Sequence, residues 1–177
     1  MTTTRQKVID IFATFSTDRE DLSINYREPV TQEDIDIAQA KCKVIFPDDL
    51  KDFWLTCGSG TMYSSKNKVL SENNNLFLDP LTVSPILNRY IDAGFEEVEI
   101  DDGMVPFFNL YEEFFYGIKE QSSGDRRIYD DINFNNPDSL YIVSNDIWDF
   151  VLKLWDDPDA PIKEKLASHG LKYQAGK

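Results

Sequence analysis

Imidazole, thiol and carboxylate groups carry most side-chain chemistry, and only the last is abundant in this sequence. His169 is the one histidine of the chain, so no imidazole pair exists to hold a zinc ion and there is no HExxH motif. A catalytic triad could draw only on His169. That residue precedes Gly170 on a segment opened by Pro161, where the helix dipole favours a cation near the C-terminus, and a structural role is expected. Of the two thiols, Cys57 continues the apolar stripe of Leu50, Phe53 and Trp54, and its sequence neighbours offer no cation or base to activate it. Gly58-Ser59-Gly60 is one residue short of a GxSxG elbow. No GxxxxGK[ST] or GxGxxG loop is present to cradle a phosphate.

Carboxylates are different. The chain has 32 Asp plus Glu against 18 Lys plus Arg, for a net charge of -14. The 27 residues from Tyr90 to Tyr116 contain Asp92, Glu96, Glu97, Glu99, Asp101, Asp102, Glu112 and Glu113 with no Lys or Arg, so -8 of that total is concentrated there. Three chemistries could use such a stretch. Glycoside hydrolysis needs two carboxyl groups roughly 5 to 9 Å apart, and nothing in the spacing selects a pair. A hard metal ion needs oxygen ligands, but Glu96-Glu-Val-Glu-Ile-Asp-Asp102 lacks the glycine and twelve-residue rhythm of an EF-hand loop, so neither metal nor cofactor is expected. The third is long-range attraction. An excess that cannot neutralise itself locally steers a cationic partner within a Debye length of ~8 Å.

On that reading Glu96, Glu97, Glu99, Asp101, Asp102, Glu112 and Glu113 dock a basic protein surface. Phe107, Phe108, Phe114, Phe115 and Tyr116 lie beside them in sequence, and alternation assigns about half of these to the core and half to a contact patch. The competing reading is a solvated acidic face that keeps the protein soluble.

Composition removes other classes. At 177 residues and 20.5 kDa the chain fits one domain, residues 1–177, and its 12 Phe, 8 Tyr and 3 Trp are too much apolar material for a disordered chain. The negative charge repels DNA, RNA and anionic lipid. The longest run without a polar side chain, Met104 to Phe108, is far short of the ~20 residues of a membrane span. Two cysteines make no disulfide framework, and no cationic start followed by an apolar core announces secretion, so a reducing cytoplasm is expected.

The elements that must position these groups follow from periodicity. Val8, Ile11, Phe12 and Phe15 predict a helix over residues 4–16, followed by a connecting arm from Asp18 to Pro29. Val30, Thr31, Asp34 and Ile35 are spaced as staple, N-cap, capping acid and staple partner of a second helix whose face runs on through Ala38 and Cys42. Phe46-Pro47 restarts the chain into a third helix that Gly58 and Gly60 close. Beyond Gly60, short apolar stretches predict strands at Thr61–Tyr63, Leu76–Leu78, Val98–Ile100, Met104–Phe108, Phe114–Ile118, Arg127–Tyr129 and Leu140–Val143. The loop from Glu120 to Asp125 makes a hairpin of two of them. Ser84-Pro85 predicts the start of a helix with Ile86, Leu87, Tyr90 and Ile91 on one face and Gly94 at its end. Ser144 or Asn145 caps a helix carrying Ile147, Phe150, Val151 and Leu154, with Trp148 and Trp155 widening its face, and residues 161–169 form a short final helix.

In this order the motifs resemble the SMI1/KNR4 family of the SUKH superfamily. The resemblance is carried by Thr31-Gln-Glu-Asp-Ile35 leading to Phe46-Pro47-Asp-Asp-Leu50, Phe53 and the Gly58-Ser-Gly60 turn. It continues in Met104-Val-Pro-Phe-Phe108, Arg127-Ile-Tyr-Asp130 and Ser144-Asn-Asp-Ile-Trp-Asp-Phe150. It spans about residues 30 to 155, leaving the helices at 4–16 and 161–169 as extensions. The chain departs from the pattern at Asn109-Leu-Tyr-Glu-Glu113, where the family usually has a Gly-rich turn, and at Cys57, where it usually has Asn.

The resemblance implies an α+β fold, with a single, mostly antiparallel sheet covered by helices, and binding rather than catalysis. Bacterial members resemble immunity proteins that neutralise polymorphic toxins, often nucleases, and fungal relatives look like regulatory scaffolds. The expected function is therefore a cytoplasmic immunity protein, not an enzyme, that occludes a cognate toxin with a basic surface. A scaffold for several protein partners is the alternative, and a carboxylate-based hydrolase the third reading.

Overall fold

The computed structural model describes residues 3–18, 25–62, 76–87, 103–110, 114–130, 141–157, 160 and 163. Along them run α1 (Thr4–Phe12), β1 (Tyr26–Glu28), α2 (Gln32–Cys42), α3 (Asp48–Cys57), β2 (Ser59–Thr61), β3 (Leu76–Phe77), α4 (Pro80–Leu87), β4 (Met104–Leu110), β5 (Phe114–Lys119), β6 (Ile128–Asp130), β7 (Tyr141–Ser144) and α5 (Ile147–Asp156). The strands form one seven-stranded sheet in sequence order, every neighbouring pair antiparallel, so the fold is α+β as the sequence implies. The predicted strand at Val98–Ile100, the Tyr90–Gly94 end of its neighbouring helix and, apart from helical Lys163, the final helix at 161–169 lie outside the described residues, His169 included.

Local sequence signals account for most helix ends. The Thr31 hydroxyl accepts from the Asp34 amide at 3.2 Å while the Asp34 carboxylate accepts from the Thr31 amide at 2.9 Å, a reciprocal capping box with Val30 and Ile35 buried beside it. α1 is shorter than predicted. It stops at Phe12, yet Phe15 stays buried with its ring stacked on Phe12 at 4.5 Å, so the apolar stripe outlives the helix. The chain leaves the helix there because Ser16 joins the sheet edge: Arg27 N–H donates to Ser16 O at 2.8 Å and Ser16 N–H to Asn25 O at 2.8 Å. β1, in what reads as a connecting arm, is a strand held between this segment and β2.

α4 starts earlier than Ser84-Pro85. Asp79 is its cap, one carboxylate oxygen accepting from the Thr82 amide at 3.0 Å and the other from the Thr82 hydroxyl at 2.5 Å, with Pro80 in the first turn and Pro85 inside the helix. The cap of α5 is Asp146, which accepts from the Asp149 amide at 2.8 Å, rather than Ser144 or Asn145; the Ser144 hydroxyl donates to the Asp149 carboxylate instead. β2 begins at Ser59 rather than Thr61, because Gly60 lies within the strand while Gly58 caps α3.

Those glycines are obligatory. Gly58 has φ +86°, and a Cβ there would sit 2.2 Å from the carbonyl oxygen of Glu28; at Gly60, φ is +134° and the corresponding contact is 2.3 Å from the Tyr26 oxygen. The close approach allows α3 to turn straight into β2 against β1.

One face of the sheet is sealed by aromatic rings. Phe77 contacts Phe12, Phe53 and Phe108 at 5.7, 5.2 and 4.8 Å between centroids, and Phe150 of α5 contacts Phe107, Phe108 and Tyr116 at 5.6, 5.4 and 5.3 Å. A register shift between Pro106 and Phe108 lets consecutive Phe107 and Phe108 both reach Phe150, so alternation does not divide them between core and surface. Trp54 ties α3 to the β3–α4 junction by donating to Leu78 O at 2.8 Å. On the opposite face, Ile86 and Leu87 of α4 pack with Phe115 against Met104 and Tyr129.

Gly58→Ala is expected to lower unfolding free energy by about 2–4 kcal/mol, since both its φ and its contact with Glu28 forbid a Cβ. Urea denaturation checks this; a loss below about 0.5 kcal/mol, ordinary for an exposed substitution, would contradict the α3–β2 geometry.

Candidate functional site

Opposite the aromatic face, the described residues form a hollow at the β1–β3 end of the sheet. Tyr26, Thr61 and Leu76 stand in one cross-strand row, with Glu28 and Ser59 as the adjacent pair. Side chains paired across strands share a face, so this row looks away from Phe77, whose ring is 1 % exposed, whereas Leu76 is 36 % exposed. The start of α4 rises beside the row and brings Leu78, Asp79 and Thr82 to its rim. The result is a groove of about 410 Å³. A second hollow of about 260 Å³ shares Glu28, Ser59 and Asp79 with it and adds Asp34. Among the described residues, no lysine or arginine lines either hollow. The Thr31 hydroxyl and amide hold the Asp34 carboxyl below its ordinary value, so this acid is ionised well into the acid range.

The hairpin turn between β5 and β6 carries the densest polar network, and it clasps α3. Pro47 at the N-cap offers no side-chain oxygen, and Gln121 supplies one from across the chain: its amide oxygen accepts from Asp48 N–H at 2.8 Å, and its NH₂ donates to the Asp48 carboxylate at 3.1 Å. Arg126 pairs with Asp49 of the same helix turn. Asp125 accepts from Arg127 Nε and a terminal nitrogen at 2.9 and 2.7 Å and from the Tyr129 hydroxyl at 2.6 Å, while Lys119 and Arg127 lie over the Tyr129 ring at 5.2 and 5.7 Å. The Arg127 guanidinium foremost holds the Asp125 carboxyl well below the usual range, whereas burial, then the Asp125 hydrogen bond, pushes the Tyr129 phenol up to about 12. These groups satisfy one another, so the network secures the turn.

Neither thiol is activated. Burial pushes Cys57 up to about 12. The fold does bring it two cations that sequence neighbours do not offer, Arg27 and Arg5, but their pull is outweighed by desolvation. Burial raises Cys42 likewise. Among the described residues no group of three or more His, Cys, Asp or Glu side chains is placed to hold a metal ion, and no helix is long and apolar enough to cross a membrane.

The seven acids singled out from sequence, Glu96, Glu97, Glu99, Asp101, Asp102, Glu112 and Glu113, lie outside the described residues. Glu112 and Glu113 fall in the three residues joining Leu110 to Phe114, which pair across β4 and β5. The groove was not found from sequence, because Tyr26, Glu28, Leu76 and Asp79 are separated by up to 53 positions and only strand pairing unites them. Asp79-Pro80, a cap followed by a first-turn proline, is the one local signal that could have marked its rim.

The model of the SMI1 / KNR4 family (SUKH-1) matches residues 29–153. Its limits bracket the capping box, the glycine junction, all strands from β2 to β7 and most of α5. No curated protein matches the chain.

Asp125 binds its proton less tightly folded than unfolded. Its stabilisation is therefore complete above the ordinary carboxylate value near pH 4 and is lost as pH falls through its lower folded value. Asp125→Asn is expected to destabilise by about 1 kcal/mol at neutral pH, with the difference from wild type closing only below roughly pH 3. Thermal unfolding from pH 7 to pH 2 checks it, and a difference independent of pH would contradict the ionised Asp125–Arg127 pair.

Proposed function

Because the chain belongs to the SMI1 / KNR4 family (SUKH-1), we propose that it is an immunity-type binding protein that neutralises a cognate cationic toxin, of nuclease type, by covering its working cleft. Catalysis by this chain is not part of the reading. Its action needs only a rigid body and a surface complementary to the toxin.

Family membership supports the binding role, and the observation that carries the partner's chemistry is the charge. The chain has a net charge of -14, with eight acids and no Lys or Arg in the 27 residues from Tyr90 to Tyr116. A nuclease must present basic groups to phosphates, so an anionic protein competes for the surface its substrate uses. Six described cations pair with described carboxylates: Arg5 with Asp52, Lys51 with Asp48, Arg126 with Asp49, Arg127 with Asp125, Lys153 with Asp149 and Lys163 with Asp157. On this reading Glu96, Glu97, Glu99, Asp101, Asp102, Glu112 and Glu113 steer and dock the toxin.

Co-expression with a basic nuclease toxin from the native host is expected to restore growth and to give a one-to-one complex by native mass spectrometry. Reversing Glu97, Asp101 and Asp102 to Lys is expected to weaken that complex by roughly a hundredfold without lowering the unfolding midpoint. Unchanged affinity would remove these residues from the interface, and recovery of several weakly bound proteins in place of one toxin would favour a scaffold.

A further inference from the structure

Val44, Ile45 and Phe46 are three successive apolar residues on the link between α2 and α3, and the middle one is left in water. Phe46 is fully buried, edge-on to the Trp54 ring at 5.2 Å, and Val44 packs on the core. Ile45 is 62 % exposed, the highest value among the described large hydrophobic side chains. A single exposed isoleucine is ordinary. What distinguishes this one is a backbone held from both ends. Lys43 turns the chain at φ +58°, the one positive φ outside glycine among the described residues. Phe46 N–H donates to the Gln39 side-chain oxygen at 2.8 Å. Gln121, in the hairpin turn, donates its own amide to Ile45 O at 3.1 Å, while its side chain holds the Asp48 amide and carboxylate. None of these hydrogen bonds involves the Ile45 side chain, so the loop fixes the position of that side chain without depending on it.

The same turn joins Ile45 to the acidic stretch. Glu120 N–H donates to Gly103 O at 2.7 Å, so the carbonyls of Ile45 and Gly103 accept from consecutive amides, and Asp102 is covalently bonded to Gly103. The exposed isoleucine and the point where Glu96 to Asp102 join the sheet therefore meet at one backbone junction. Interfaces concentrate their binding energy in an apolar anchor beside a charged rim. We propose that Ile45 is the apolar anchor of the interface with the cationic partner protein, entering a nonpolar socket whose rim carries that partner's basic groups. The proposal rests on the reading of the partner as a basic toxin and adds the contact that slows dissociation, where the acids supply steering. A second copy of this chain is a poor occupant, because two chains of net charge -14 repel each other.

The test uses the full chain and its complex with the basic nuclease toxin from the native host. Ile45→Ala is expected to weaken that complex roughly tenfold and Ile45→Ser roughly thirtyfold, through faster dissociation, while Ile45→Val stays within about threefold. Salt does not screen an apolar contact, so these ratios hold at low and high salt, whereas the loss from reversing Glu97, Asp101 and Asp102 shrinks as salt rises. In the free protein Ile45→Ser is expected to keep the wild-type urea midpoint. A midpoint lowered as far as by a core truncation would make Ile45 a packing residue and overturn the anchor. Sedimentation velocity supplies a second check: wild-type self-association that Ile45→Ser abolishes would assign the side chain to a second copy and overturn it too. Undiminished affinity of Ile45→Ser for a toxin that the wild type binds would overturn the anchor alone. A wild-type chain that binds no basic toxin would overturn the inhibitory reading and the anchor with it.

Discussion

The two faces of the sheet are treated unequally, and the rest of the molecule depends on that inequality. Rings from α1, α3 and α5 meet rings from β3, β4 and β5 in one continuous cluster, from Phe15 through Phe12, Phe53 and Phe77 to Phe108, Phe150 and Tyr116. Each fully buried phenylalanine represents roughly 3–5 kcal/mol against truncation, so this face holds the fold together. On the opposite face, Ile86 and Leu87 at the end of α4 pack with Phe115 against Met104 and Tyr129. Over β1–β3 a row of Tyr26, Thr61 and Leu76 is left beside the rim of α4.

That division needs rigid joints, and these are backbone devices. Gly58 and Gly60 let two β1 carbonyls approach where any Cβ would collide. Gln121 reaches 73 positions back along the chain to cap a helix whose own N-cap is a proline. The Asp125–Arg127–Tyr129 network then fixes the turn from which Gln121 projects. Lys119, Arg126 and Arg127, three of the 18 cations in the chain, serve at this turn, where they sit against Asp125 or Asp49.

What the sequence made legible follows physical range. Thr31 with Asp34, Pro47, Gly58 and the hairpin loop at 120–125 are local signals, each read from neighbouring residues and each found in place. β1 was missed because three charged or aromatic residues have no alternation to detect; its strand character comes from β2 and Ser16. Ser84-Pro85 predicts too late a start for α4 because Pro85 lies inside the helix and Asp79-Pro80 is the pair that caps it. The shift at Phe107 defeats alternation because a bulge places consecutive residues on one face. The groove is the extreme case, a property of pairing between distant segments, whereas the acidic stretch was legible because charge is counted without knowing the fold.

The central claim is that the ring-bearing face is structural while the proposed recognition rests on the acidic 90–116 stretch. Hydrogen–deuterium exchange of the protein alone and in complex with the proposed basic toxin tests this most directly. The account expects new protection across 90–116, with α1 and α5 unchanged. Protection concentrated on α1 and α5, with 90–116 exchanging as in the free protein, would contradict it.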